Sequence, residues 1–253
     1  MGAVTVKLAD HELSKNDVLD LFDQLMVDKH LEFYSLVKSD KAFNDFLTYA
    51  KLDPETNFLE KKEYMEQDFI DWVSPYYAQS YKSIAYACLR EKNPTTLLTL
   101  ISVDYYCSAN DDEECTLAIR HVLESMIEES GRLLEETKIG DLPDKDAISK
   151  VFSEDWTHFF NNLSDLFVGE RDNYAVNGIN LGLTLHREKH KREARYIYEA
   201  IHYLECEPGN KEVLNGNYNV VVNKMSDDNS AITVLKVILY GAFILWRFSG
   251  GCN

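Results

Sequence analysis

The chain has 253 residues, 45% of them hydrophobic, which is enough for one large or two small packed domains. Lys and Arg number 26 against 43 Asp and Glu, a net charge of −17. That balance argues against nucleic-acid binding, because neutralising phosphates needs clustered cations. With 11 Gly and 5 Pro there is too little turn chemistry to separate many short strands, and an all-α fold is expected.

In chain order, Met1 to His11 has no apolar run, so no signal peptide is expected. Val18, Leu21, Phe22 and Leu25 then recur at helical spacing, with Ser14 and Asp17 placed as a capping pair. Asp40 precedes the stripe Phe43, Phe46, Leu47 and Ala50. A helix is expected over 58–73, with Met65, Phe69, Trp72 and Val73 on its buried side. Ser74-Pro75 reads as the cap and first-turn proline of the next helix, carrying Tyr81, Ile84, Ala85 and Cys88. Asn93-Pro94 interrupts that helix or begins another over 97–106.

Asp111 to Glu114 opens a long helix through Ile119, Val122, Leu123, Met126, Ile127 and Leu134, and the break at 140–143 ends it. Trp156, Phe159, Phe160, Leu163 and Phe167 form the next stripe. Gly169 and the Gly-Ile-Asn-Leu-Gly stretch at 178–182 leave the middle open between helix and loop. Ile197, Ala200, Ile201 and Leu204 make another stripe, closed by Pro208-Gly209, and Val220-Val221-Val222 is the one strand-like run. Ala231 to Trp246 is nearly all apolar, broken mainly by Lys236. It falls short of the roughly 20 residues that span a bilayer, so a buried core helix is expected, with a short tail anchor as the alternative. No linker divides the chain. The expected organisation is an N-terminal helical extension over 1–40, one antiparallel helical domain over 41–246 and a flexible tail over 247–253.

Cys88, Cys107, Cys115, Cys206 and Cys252 are scattered without a C-x-x-C pair, which argues for a reducing compartment and against a disulfide framework or zinc site. The sequence carries no G-x-S-x-G, H-E-x-x-H, Walker loop or G-x-G-x-x-G, so no enzyme, cofactor or metal is expected. His186 and His190 stand four apart, as two metal ligands on one helical face would. They sit, however, in HREKHKREAR, where five Lys and Arg repel a cation. That basic run, Arg187, Lys189, Lys191, Arg192 and Arg195, is the strongest exception to the acidic chain. It reads either as a solvated helix face paired with Glu188, Glu193 and Glu199, or as a contact for an anion or acidic partner. Gly178 and Gly182 have the spacing of a helix-packing pair, and Asp111 to Glu114 is an acidic helix start. The tyrosines at 76–77 and 105–106 read as core, or as the lining of a peptide groove.

Several short motifs keep step with one family. Ser83-Ile84-Ala85-Tyr86 resembles the Ser-Val-Ala-Tyr in the third helix of 14-3-3 proteins. Thr95-Thr96-Leu97, Ser102-Val103-Asp104, Ser149-Lys150-Val151-Phe152, Glu199-Ala200 and Pro208 follow in order. Asn217-Tyr218-Asn219-Val220 looks like the family's Asn-Phe-Ser-Val, and Leu245-Trp246 like the end of its last helix. The resemblance covers 73–246. It implies a cup of about eight or nine helices and a cytoplasmic, non-enzymatic homodimer that binds phosphoserine or phosphothreonine peptides of partner proteins in signalling. Asn217 would hold the peptide backbone and Val220 would line the groove.

The departures fall on the phosphate pocket. The family's Lys is Ala87 here, its two Arg fall on Pro94 and Asn161, its Tyr on Asn162, and a second backbone-binding Asn on Ala242. Between Val220 and Ala231 there is no room for the family's eighth helix. Lys82 and Arg90 are the nearest cations on the same helix, so phosphate binding is expected to be degenerate. Ser249, two residues after Arg247, is a candidate phosphosite. The alternative readings are an apoptosis-regulator-type helical bundle with a C-terminal membrane anchor, and an unrelated acidic inhibitor.

Overall fold

The structure, a computed structural model, describes residues 5–8, 11–27, 29–53, 56–103 and 105–223. Among them a short antiparallel hairpin, β1 (Thr5–Leu8) and β2 (His11–Ser14), precedes eleven α-helices. These are α1 (Lys15–Val27), α2 (His30–Lys38), α3 (Lys41–Tyr49), α4 (Gln67–Glu91), α5 (Pro94–Ser102), α6 (Asp112–Lys138), α7 (Lys145–Val151), α8 (Glu154–Asn161), α9 (Val168–Arg187), α10 (Lys191–Ile201) and α11 (Pro208–Tyr218). The all-α expectation holds, and nine of these helices begin after residue 40. No described helix is long and apolar enough to cross a membrane. The apolar run 231–246, Ala242 and the tail with Ser249 lie outside the described residues.

The chain divides into two compact units, 1–81 with 103–113, and 82–102 with 114–253. The first opens with a capping box on α1. Asp17 N–H donates to Ser14 Oγ (3.2 Å), and Ser14 N–H donates back to Asp17 Oδ2 (2.8 Å). Its core is aromatic. The Phe43 ring lies 4.8 Å from Phe58, 5.2 Å from Tyr64 and 5.2 Å from Tyr106, and Phe46 lies 4.9 Å from Tyr77. Asp40 is buried at the N-cap of α3, accepting from Phe43 N–H (3.1 Å) and from Leu59 N–H (2.7 Å), so it ties the helix to the irregular segment that follows.

Three local expectations are corrected in this unit. The helix expected over 58–73 starts only at Gln67, after a 3-10 turn at Lys62–Met65, and Met65 is exposed. Ahead of that turn, Leu59 N–H is tied to the Asp40 carboxylate at the start of α3. Ser74-Pro75 starts no new helix, since α4 runs straight through it. Phe69, Val73, Tyr77 and Tyr81, spaced four apart, are all buried, and this continuous stripe outweighs the lost hydrogen bond at an exposed proline. Ser74 is instead a buried anchor. It accepts from Ser108 N–H (2.8 Å) and donates to Asp111 Oδ2 (2.6 Å), which pins the loop before α6. The third concerns Tyr105 and Tyr106, placed by one reading in a helix over 97–106; α5 ends at Ser102, and both lie in that loop.

The second unit is organised around α9. Both glycines of its ambiguous stretch are helical, and they are where the neighbours come closest. A Cβ on Gly178 would meet Ile201 Cδ1 at 2.8 Å and Phe152 Cε1 at 2.9 Å, and one on Gly182 would meet the Tyr198 ring at 2.8 Å. Long-range hydrogen bonds lock the same helix. Asn177 Nδ2 donates to Ile127 O (3.1 Å) and Ser130 Oγ (2.8 Å) on α6, Tyr174 O–H donates to Val151 O (2.7 Å) on α7, and Tyr198 O–H on α10 donates to Ile179 O (3.0 Å). The valine run at 220–222 is not a strand; it lies in a π-helical turn, Asn219–Asn223, that widens the end of α11.

Candidate functional site

The four residues expected to form a groove lie in the second unit but do different work. Lys82 is exposed on α4 and pairs with Glu114 (3.7 Å), in a geometry worth little at a wet surface. Arg90, in the last turn of α4, is exposed and makes no ion pair among the described residues. Asn217 is only 3% exposed on α11, and Val220 is half-buried in the π-turn. The Asn217 amide lies by Tyr198, where it offsets part of burial's upward push on that phenol, yet its Nδ2 finds no hydrogen bond of good geometry.

The positions matched to the family's phosphate pocket are occupied by structural residues. Ala87 is half-buried on α4, and Pro94 is buried at the first turn of α5. Asn161 clamps the turn after α10, donating to Tyr203 O (2.9 Å) and accepting from Glu205 N–H (2.8 Å). Asn162 donates to His158 O (2.9 Å).

The basic run is bent rather than straight. Helix α9 ends at Arg187 and α10 begins at Lys191, so His186 and His190 lie on either side of a break and do not share a helical face. The break is a hydrogen-bonded reversal in which Lys189 N–H reaches His186 O (3.2 Å) and His190 N–H reaches Leu185 O (2.8 Å). Lys189 holds the left-handed position, φ 70°. No cluster of three metal-ligating side chains forms among the described residues. Burial, and then Lys191, hold the His186 imidazole below its ordinary pKa. His202, stacked on Tyr218 with ring centroids 3.7 Å apart, is lowered by burial and then by Lys211.

Beside this turn lies a pocket of about 480 Å³ between the C-terminal ends of α6 and α9, lined by Thr137, Lys138, Gly140, Asn180, Thr184 and Arg187 among others. It contains none of the four residues expected to form the groove. The sequence signalled it through the basic run alone, because its other wall comes from residues more than 40 positions earlier.

No family model matches the chain, and neither a curated protein nor a solved structure matches it.

Proposed function

We propose that this chain is a non-catalytic binding protein of the cytoplasm, a 14-3-3-like adaptor that takes a partner segment against its second unit and works as a homodimer. The observation that carries this reading is Asn217. It occupies the position whose counterpart holds a peptide backbone in the resembled family, and its amide nitrogen is buried beside Tyr198 without a hydrogen bond of good geometry, a condition that native proteins rarely tolerate unused. Phosphate plays a small part in this reading, because Ala87, Pro94 and Asn161 provide no cation and two of them are committed to packing or backbone clamps.

A peptide array carrying phosphorylated and unphosphorylated forms of each sequence tests it. The expected result is a set of retained sequences bound similarly with and without phosphate, and lost in Asn217→Ala. Ala87→Lys should raise affinity for the phosphorylated members by about tenfold, the worth of one charge-assisted hydrogen bond. Retention of no sequence in either form would end the adaptor reading. A monomer by light scattering at micromolar concentration would remove the dimer.

One observation favours the second reading, an apoptosis-regulator-type bundle. Helix α9 is enclosed, with nine of its 20 residues buried and partners on α6, α7 and α10, as a central helix of such a bundle would be. Flotation of the full chain with liposomes, lost on truncation after Asn223, would select this reading over the adaptor.

A further inference from the structure

We propose that the turn between α9 and α10, together with the pocket beside it, is a docking surface for a short acidic segment of a partner protein. Of the five cations in the basic run only Arg195 is paired among the described residues, with Glu199 at 2.7 Å. Arg187, Lys189, Lys191 and Arg192 are exposed and make no ion pair among the described residues, although Glu188 and Glu193 are interleaved with them. A solvated salt-bridged face, the ordinary account of such a run, is not what forms.

Local energetics account for Arg187 but not for the other three. Arg187 and Lys138 sit in last turns, where a positive charge complements the helix dipole, and Lys138 is also paired with Glu135 (2.6 Å). Lys191 and Arg192 stand in the first turn of α10, where a cation opposes the dipole. Lys189 occupies a left-handed backbone position that glycine would take without strain, as Gly140 does at the matching reversal after α6. Lys92, the other left-handed lysine, forms an ion pair with Glu129, whereas Lys189 has no such pair among the described residues. Three cations are thus kept where the isolated fold is better without them, a pattern expected of a binding surface.

The pocket gives the surface depth. Arg187 and Glu188 belong to both, and the Asn180 side-chain amide lining the pocket makes no hydrogen bond among the described residues. At about 480 Å³ it accommodates one or two side chains of a bound segment. The overall charge selects a discrete ligand over an anionic membrane. An extended surface meets the repulsion of the whole chain at −17, whereas a short segment feels mainly the cations within about 8 Å at physiological salt. This inference does not rest on the Asn217 reading.

The test is fluorescence anisotropy of a fluorescein-labelled octaglutamate peptide titrated with the full chain. Saturable binding that weakens with salt is expected. The variant R187Q/K191Q/R192Q should lose about tenfold to a hundredfold, at roughly two- to fivefold per cation. K189G should bind more weakly while melting at a higher temperature, a combination that a purely structural role for Lys189 would not produce. K41Q/K62Q, which removes two cations from the first unit, should bind as wild type. Wild-type affinity in the triple variant, with its helical circular dichroism intact, overturns the proposal. So does preferential binding to phosphatidylserine vesicles over the peptide, which would make the surface a membrane contact.

Discussion

At the scale of single residues, buried polar groups in this protein mostly act as fasteners. Asp40 is the clearest. A carboxylate 2% exposed caps α3 and holds Leu59 N–H, with the Tyr64 hydroxyl at 3.4 Å. Asp40→Ala removes a cap and strands a second donor, so urea unfolding should show a loss of about 2–4 kcal/mol. An unchanged midpoint would mean that the two amides find water at no cost. The two depressed histidines carry a pH prediction. Because the folded pKa of His186 and of His202 lies below the unfolded value, the folded state binds fewer protons as acid is added. Their contribution is fully present above the ordinary value of 6.5 and is lost as pH falls below it. The melting temperature should therefore fall between pH 7.5 and 5.5, and the double variant H186Q/H202Q should fall less steeply. Equal slopes would show that neither histidine is coupled to folding.

At the scale of elements, helix α9 shows how contact overrides local preference. Two glycines in a helix interior are individually unfavourable, yet at Gly182 the Tyr198 ring occupies the space of a Cβ. That ring cannot retreat, because its hydroxyl is held by Ile179 O. Gly182→Ala should destabilise by about 1–2 kcal/mol net of its helix-propensity gain. Gly216, in α11 with nothing within 4 Å of an added Cβ, should gain about 0.5–1 kcal/mol on the same change. Thermal melts of the two variants that shift in the same direction would refute the close-packing account of α9.

At the scale of the whole molecule, the charge is unevenly divided. The first unit contains 8 Lys, no Arg and 20 Asp and Glu, a balance of −12, whereas the second has 18 basic and 23 acidic residues, −5. Self-repulsion in a unit so acidic weakens its compact state, and the weakening is greatest when the Debye length is long. Raising NaCl from about 10 mM to about 150 mM, which shortens that length from about 30 Å to about 8 Å, should raise the melting temperature. A fall would mean that attractive pairs such as Lys29–Asp68 and Lys92–Glu129 outweigh the net repulsion.

The sequence by itself determined the helical class, because apolar periodicity and capping pairs are local properties. The Ser14–Asp17 capping box, the Asp40 cap, the acidic opening of α6 and the break after it are all legible in a few adjacent residues. The basic run was legible as a charge exception, but its bend was not, since no glycine or proline marks the reversal at Lys189. Tertiary structure decided what depends on residues far apart in the chain. The aromatic stripe carried α4 through Pro75, Phe152, Tyr198 and Ile201 made a packed helix of a glycine-rich stretch, and α6 supplied the second wall of the pocket beside Arg187. In the first two cases burial against a distant partner outweighed a local preference worth about 1–3 kcal/mol, and in all three a local pattern carries no record of that partner.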